Sequence, residues 1–176
     1  MPDENPKRQL LTLDQVSRTA KETTLKAGYH VPTLMIEGDL RSIISQIQQL
    51  ANTFEGRETQ MFMHGFLLAN VGDIGVLQQV FFISEGWMSV GSKETPPQMP
   101  PSRDPQRKEV LIIAHHHVQP VKNTGVMFEM RRNVKGKLIG LPPLRVPETQ
   151  RDLDFRSPLL EAFVLGFLGN AQRPDD

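Results

Sequence analysis

The strongest strand pattern in the chain lies within residues 107–132, RKEVLIIAHHHVQPVKNTGVMFEMRR. Arg107 to Val118 contains an unbroken apolar run at Val110 to Ala114, which predicts a buried strand. Thr124 to Arg132 carries alternating apolar residues, which predicts a second strand: Val126, Phe128 and Met130. Because only a short connection separates the two, they are expected to pair antiparallel.

Further elements are predicted on both sides of this pair. Strands are expected at Val31 to Glu37, at Val76 to Met88 and, after a turn at Asn133 to Lys137, at Leu138 to Leu141. Helices are expected at Leu13 to Ala27, Leu40 to Phe54, Arg57 to Val71 and Pro158 to about Leu168.

The helix at Leu40 to Phe54 has the clearest pattern of the four. Its apolar residues recur at three- and four-residue steps, and Asp39 would supply the N-cap. The segment Arg57 to Val71 is rich in Phe and Met, so its composition also permits a strand.

The order of elements predicts an α+β fold. We expect a mostly antiparallel four- or five-stranded sheet with helices packed mainly on one face. A chain of 176 residues fits one domain, 1–176. Frayed tails are expected at about 1–9 and 171–176, and a Pro-rich loop at about 90–106.

Composition excludes several classes of protein. The chain has no cysteine, which excludes a disulfide scaffold, a Cys nucleophile and a thiolate metal site. It shows no secretory signal, and its longest apolar stretch is too short to span a bilayer. The expected location is therefore the cytoplasm, without a membrane partner.

Charge is unevenly distributed, although the net charge is zero. Residues 103–145 contain nine basic and three acidic side chains, so the rest of the chain is acidic to the same extent. The simplest interpretation is that the two parts neutralise each other in the fold; the alternative is a basic binding surface.

The first candidate site is the run His115, His116, His117 at the end of the strongest strand. Alternate residues of a strand share a face, so His115 and His117 could reach one divalent ion such as zinc. Glu85 or His64 would complete the ligand set. The simpler interpretation is that these imidazoles line a strand end without metal.

The second candidate is the segment around Trp87, the only tryptophan, where a strand runs into the Pro-rich loop. Glu85 lies on the apolar part of that strand and, if buried, needs a partner, for which Arg107 or Arg131 is suitable. The simpler interpretation is that Trp87 plugs the edge of the core.

The third candidate is the basic hairpin, whose charges could follow a nucleic-acid backbone: Arg131, Arg132, Lys135 and Lys137. Few aromatic residues interleave with these charges, so base stacking on the hairpin is not indicated. The fourth candidate is the C-terminal helix, which is apolar nearly all round and would be buried in the core or against a second copy of the chain.

No phosphate-binding glycine loop, nucleophile elbow or HExxH motif occurs in the sequence. We therefore expect a non-catalytic binding or accessory protein of bacterial type, acting through the Trp87 loop and the basic strand surface. One alternative is a small metal-dependent hydrolase or nuclease. In this hydrolase, His115 and His117 would bind the ion, Glu85 would be the third ligand or the general base, and Arg131 would stabilise the negative charge that develops in the reaction. The other is a nucleic-acid-binding protein using the 131–137 hairpin.

Overall fold

The computed structural model describes residues 9–89, 100–101, 103–144 and 155–171. In chain order its elements are α1 (Leu13–Ala27), β1 (Thr33–Gly38), β2 (Ser42–Gln46), α2 (Phe54–Val71), β3 (Leu77–Met88), β4 (Lys108–His117), β5 (Lys122–Glu129), β6 (Arg131–Arg132), β7 (Leu138–Gly140) and α3 (Pro158–Ala171). The predicted tails and most of the Pro-rich loop lie outside the described residues.

Five strands form one antiparallel sheet in the order β2-β1-β3-β4-β5, and β6 pairs with β7 in a separate hairpin. The α+β class and the five-stranded antiparallel sheet are thus confirmed. Strands β3 and β4 form the centre, with Phe81 opposite His115 and Trp87 opposite Glu109. This register decides which polar residues can meet.

The sheet is covered on both faces. Helices α2 and α3 pack on one face, over a core that includes Leu34, Val80 and Phe82. Helix α1 packs on the other, where Val16 and Ala20 contact a cluster that includes Phe81 and Leu111. Two of the three described helices therefore share a face, and α1 alone covers the second.

Helix α1 has the predicted bounds because both of its ends carry strong local signals. Thr12 and Gln15 form a capping box, which satisfies free N–H groups of the first turn. Gly28 ends the helix with φ 83°, a left-handed conformation that glycine adopts without a Cβ penalty.

The helix predicted at Leu40 to Phe54 is wrong. Residues Ser42–Gln46 form strand β2 instead, with Ile43 opposite Ile36 and Ile44 opposite Met35. The apolar residues Ile43, Ile47 and Leu50 do contact the core, as their spacing predicted. They reach it from strand β2 and the loop that follows, and not from a helix.

Pairing explains this outcome. Without β2, β1 would expose an unpaired backbone edge, and two adjacent β-branched isoleucines suit a strand. Asp39 does not cap a helix; its Oδ1 accepts a hydrogen bond from the Val76 N–H at 2.7 Å and closes the turn.

Helix α2 starts three residues earlier than expected, at Phe54, because Thr53 caps it by accepting from the Gly56 N–H. It packs tightly on α3: a Cβ at Gly65 would overlap the carbonyl oxygen of Phe163, and one at Gly166 would overlap that of Phe62. None of the described helices is long and apolar enough to cross a membrane.

Candidate functional site: the two polar ends of the α1 face

Alternation along β3 and β4 places odd-numbered residues on the α1 face of the sheet. Helix α1 covers the middle of this face, and polar side chains gather at each end of the strands. One end holds Trp87 and its neighbours, and the other end holds His115 and His117.

The tryptophan end forms a half-exposed group of aromatic and charged side chains, here called the Trp87 surface: Tyr29, Glu85, Trp87, Arg107, Glu109 and Arg132. The indole of Trp87 is 49% exposed, and the Arg107 guanidinium carbon lies over its ring, 4.3 Å from the centroid. This geometry is typical of a cation–π contact. Trp87 and Arg107, which belong to the same predicted candidate segment and flank the Pro-rich loop, are thus in contact.

An ion pair fixes the hairpin beside Trp87. Arg132 donates to both carboxylate oxygens of Glu109 at 2.7 Å, and also to the carbonyl oxygen of Gly28 at 3.0 Å. The hydrogen bonds with Glu109 raise the pKa of Arg132. Because Gly28 ends α1, this one guanidinium ties the β6–β7 hairpin to the helix and to the sheet. Tyr29, the residue after Gly28, is exposed.

Glu85 lies on the same face, diagonally opposite Glu109. Its Oε1 accepts a hydrogen bond from the His30 N–H at 2.5 Å. Burial raises the pKa of Glu85, the nearby Glu109 charge adds to this, and the His30 N–H and Arg132 act against it. Of the two partners predicted for Glu85, Arg107 stacks on Trp87 and Arg131 lies 3.7 Å from Glu129, and the cation that acts on Glu85 is Arg132.

The basic hairpin does not form one uniform positive face. Arg131 and Arg132 are paired with carboxylates, whereas Lys135 and Lys137 are exposed on the turn. The Asn133 side chain shapes that turn by accepting from the backbone N–H groups of both lysines at 3.0 Å. The hairpin predicted from the sequence is present, but its arginines serve partly to hold it in place.

At the other end of the strands, His115 and His117 share a face as predicted, with ring centroids 6.3 Å apart. The His115 ring stacks on Phe81 at 4.3 Å. Both of its nitrogens have partners: Nε2 meets the amide oxygen of Gln79 at 3.0 Å, and Nδ1 meets the hydroxyl of Thr124 at 2.9 Å. An amide oxygen only accepts, so Nε2 carries the hydrogen and Nδ1 accepts from Thr124.

The amide of Gln79 is itself fixed by a buried carboxylate that the sequence analysis missed. Gln79 Nε2 donates to Glu37 Oε2 at 2.5 Å and to the Leu11 carbonyl oxygen at 2.8 Å. Glu37 is 2% exposed and also accepts from the Leu11 N–H and the Ser42 hydroxyl. Its only sequence signal is one charged residue at the end of the apolar run 34–36.

The environment of His115 keeps its imidazole neutral. Burial and the neighbouring His117 and His116 lower the pKa of His115 to about 4. A neutral imidazole with both nitrogens engaged has no lone pair free for a metal ion. In the described geometry His115 therefore links β3, β4 and β5.

The ligand set proposed from the sequence is not assembled. Glu85 is opposite Leu111, four residues along the strands from His115, which corresponds to about 13 Å. His64 lies on α2 across the sheet, beside Ser45 and Phe163. Among the residues that the structure describes, no group of three His, Asp or Glu side chains could hold a metal ion.

Tyr29, Glu109 and Glu129 also escaped the sequence analysis as site residues. Tyr29 follows a helix-ending glycine and carries no motif, and the glutamates stand beside basic residues in strands. Their roles depend on strand register and on where α1 ends. Comparison with protein-family models, with curated proteins and with solved structures gives no match for this chain.

Proposed function

We propose that this chain is a non-catalytic cytoplasmic binding protein whose Trp87 surface takes up an acidic segment of a partner protein. The observation that carries the proposal is the half-exposed Trp87 indole held under the Arg107 guanidinium. Trp, Tyr and Arg are the residues that most often dominate the binding energy of protein interfaces. Tyr29, Trp87 and Arg107 supply all three types at one end of the sheet.

Preorganisation supports this assignment. The Glu109–Arg132 ion pair and the Arg132 contact to Gly28 hold the hairpin and the end of α1 in one arrangement. A surface that is already ordered loses less conformational entropy on binding. The partner would thus meet a rigid aromatic and guanidinium platform.

Charge favours an acidic partner. Four basic residues lie on or next to this surface: Arg107, Arg132, Lys135 and Lys137. Three acidic residues face them: Glu85, Glu109, which is paired with Arg132, and Asp104, whose charge interacts with that of Arg107. The surplus is positive, and such a surplus speeds association with an acidic surface and weakens with salt.

Nucleic acid is the second candidate for the same positive charge. Glu85 and Glu109 stand in the middle of the surface beside Trp87. Carboxylates at that place repel phosphates, whereas a peptide can direct its own backbone N–H groups or a side-chain cation towards them. This favours a peptide over a polynucleotide.

Trp87 is itself the probe for the test, since it is the only tryptophan in the chain. Its fluorescence is followed while a poly-glutamate peptide or a single-stranded oligonucleotide of equal charge is added at low salt. We expect the peptide to change the emission, the change to fade with salt, and the oligonucleotide to bind more weakly. Tighter binding of the oligonucleotide would assign the surface to nucleic acid.

Matched arginine variants make the test specific. Arg107→Gln should weaken peptide binding by roughly tenfold, as expected for a central interface arginine. Arg156→Gln removes another exposed charge, one that pairs with Glu161 beside α3, away from this surface, and should leave binding unchanged. Equal effects of the two variants, or no peptide binding at low salt, would contradict the proposal.

The hydrolase hypothesis has its own test. Elemental analysis of tag-free protein is compared with that of the His115→Ala/His117→Ala variant. A stoichiometric metal that is lost in the variant would overturn the non-catalytic assignment.

A further inference from the structure

The two helices on the other face of the sheet present an apolar outer surface, which is independent of the Trp87 surface. Each helix uses one side against the sheet, and the pair is closed by backbone contact at Gly65 and Gly166. These contacts bury the apolar residues on most sides of α3: Leu160, Phe163, Val164 and Phe167. They do not explain the side that faces outward.

The outward side carries four large apolar residues, here called the outer helix face: Phe62, Met63, Leu67 and Leu165, which are 42%, 47%, 55% and 65% exposed. Residues 63 and 67 are one helical turn apart and lie on one stripe. Gly166 packs against the carbonyl oxygen of Phe62, so Leu165 emerges next to that stripe. The four side chains form one patch across both helices.

The size of the patch is informative. A large apolar side chain presents roughly 150–250 Å² when fully exposed, so these four exposed fractions amount to about 300–500 Å² in total. That is as large as the biggest apolar patch of a typical monomer. It would supply about half of the 800 Å² or so that each partner buries in a standard interface.

The patch is also free of formal charge. Residues 59–71 of α2 and residues 162–171 of α3 contain no Asp, Glu, Lys or Arg. The nearest charge on α3 is Glu161, one turn before Leu165, and it is paired with Arg156, so two copies of the apolar centre would meet without unpaired like charges opposed. A two-fold interface requires such self-complementarity, because each residue meets the same surface on the partner.

Other occupants fit less well. The segments outside the described residues are rich in charge and proline, including 1–8, 145–154 and 172–176, and offer little apolar surface to cover the patch. A helix that lies on a membrane usually has a lysine- and arginine-rich polar face, which these stretches lack.

We infer that the outer helix face is the interface of a two-fold homodimer of this chain. The two α2–α3 layers pack against each other with Leu67 and Leu165 at the centre. Because the Trp87 surface lies on the opposite face of the sheet, the dimer leaves both copies of it accessible. It therefore presents them as a bivalent pair, which strengthens binding to any partner with repeated sites.

The first experiment measures molar mass by light scattering over a range of concentrations. The wild type should form a dimer, and Leu165→Lys should weaken it about tenfold or more, since the lysine would have to be desolvated in the interface. Val134→Lys is the matched control: Val134 is fully exposed on the hairpin turn, so this change should leave the dimer intact. A monomer at all concentrations, or a dimer equally weakened by both changes, would overturn the inference.

Cysteine cross-linking keeps the test decisive if a lysine variant is poorly folded. The chain has no cysteine, so a single one can be introduced at a chosen site. Leu165→Cys or Leu67→Cys should form a disulfide-linked dimer on mild oxidation, and Val134→Cys should not. Cross-linking through Val134 alone, or vesicle binding that Leu165→Lys abolishes in a monomeric protein, would contradict the homodimer.

Discussion

Both faces of the sheet have an apolar core, but the α1 face adds networks of directional bonds at its two ends. On the α2–α3 face, apolar side chains and direct backbone contact at Gly65 and Gly166 fill the space between helices and strands. On the α1 face, directional bonds join Glu37, Gln79 and His115 at one end and Glu109 with Arg132 at the other. The first face should respond to changes in volume, and the second to changes in charge and pH.

The largest effect is expected from a single methyl group between the helices. Gly65→Ala would place a Cβ against the backbone of Phe163 and Phe167, which cannot rotate away, so the helices must separate. We expect a loss of roughly 3 kcal/mol in the free energy of unfolding, at the upper end for overpacking.

Gly169→Ala is the matched control in α3, where a Cβ would meet nothing within 4 Å. It should raise stability by about 0.4–1 kcal/mol, because alanine restricts the unfolded chain. Urea denaturation measures both changes. A similar result for the two variants would show that the helix contact is less close than described.

The next effect concerns the buried carboxylate. Glu37→Gln keeps the shape of the side chain but replaces one carboxylate oxygen by an NH₂ group. In the wild type the carboxylate oxygens accept from the Leu11 N–H and from Gln79 Nε2, so the variant places two donors against each other and leaves buried groups without an acceptor. We expect a loss of about 2–3 kcal/mol. Glu161→Gln, at a surface pair with Arg156, should cost less than about 1 kcal/mol. Equal losses in urea denaturation would mean that the Glu37 network contributes little.

A smaller effect should depend on pH. The folded pKa of His115 is about 4, below its ordinary value of 6.5, so the unfolded chain binds more protons in that interval. Stability should therefore fall as the pH drops from about 6.5 towards 4, by about 1–2 kcal/mol once partial solvent exposure is allowed for.

The His115→Gln variant separates this pH effect from loss of packing. It loses the ring contact with Phe81 and should be less stable at neutral pH, but its further loss on acidification should be smaller than that of the wild type. His117→Gln leaves both hydrogen bonds of His115 in place and should retain most of the wild-type pH dependence. An unchanged pH profile in His115→Gln would contradict this account.

The smallest effect has the opposite sign. The pKa of Glu85 is raised by burial, so the folded state binds more protons than the unfolded state, and stability falls as the pH rises above the ordinary value of 4.5. Glu85→Gln retains an oxygen for the His30 N–H but removes the charge. It should stabilise the protein at neutral pH by no more than about 1 kcal/mol and have little effect in acid. A loss of stability at neutral pH would mean that the charge is needed.

Local signals in the sequence were sufficient where an element carries its own ends. Helix α1 begins after Thr12 and ends before Gly28. Gly136 marks the hairpin turn, and most of the apolar run at 110–114 is buried in β4. The same reasoning failed at residues 40–54, where a helical spacing of apolar residues was met by β2 and a loop. The spacing of apolar residues within one segment does not indicate that a distant strand, here β1, lacks a pairing partner on one edge.

Candidate residues could be chosen from the sequence by type, but their partners could not. Trp87, Arg107 and His115 were selected from their neighbours in the chain, whereas strand register decided that Trp87 faces Glu109 and that Glu85 lies far from the histidines. Glu37 gave almost no signal, because its partners come from positions 11, 42 and 79.

The sequence by itself determined the α+β class, most of the strands and the ends of α1, because these depend on residues close together in the chain. Only the tertiary structure decided which side chains share an end of the sheet, which carboxylate is buried and which helix face is left open. These depend on strand register and helix packing between distant segments, where pairing and desolvation outweigh local preference.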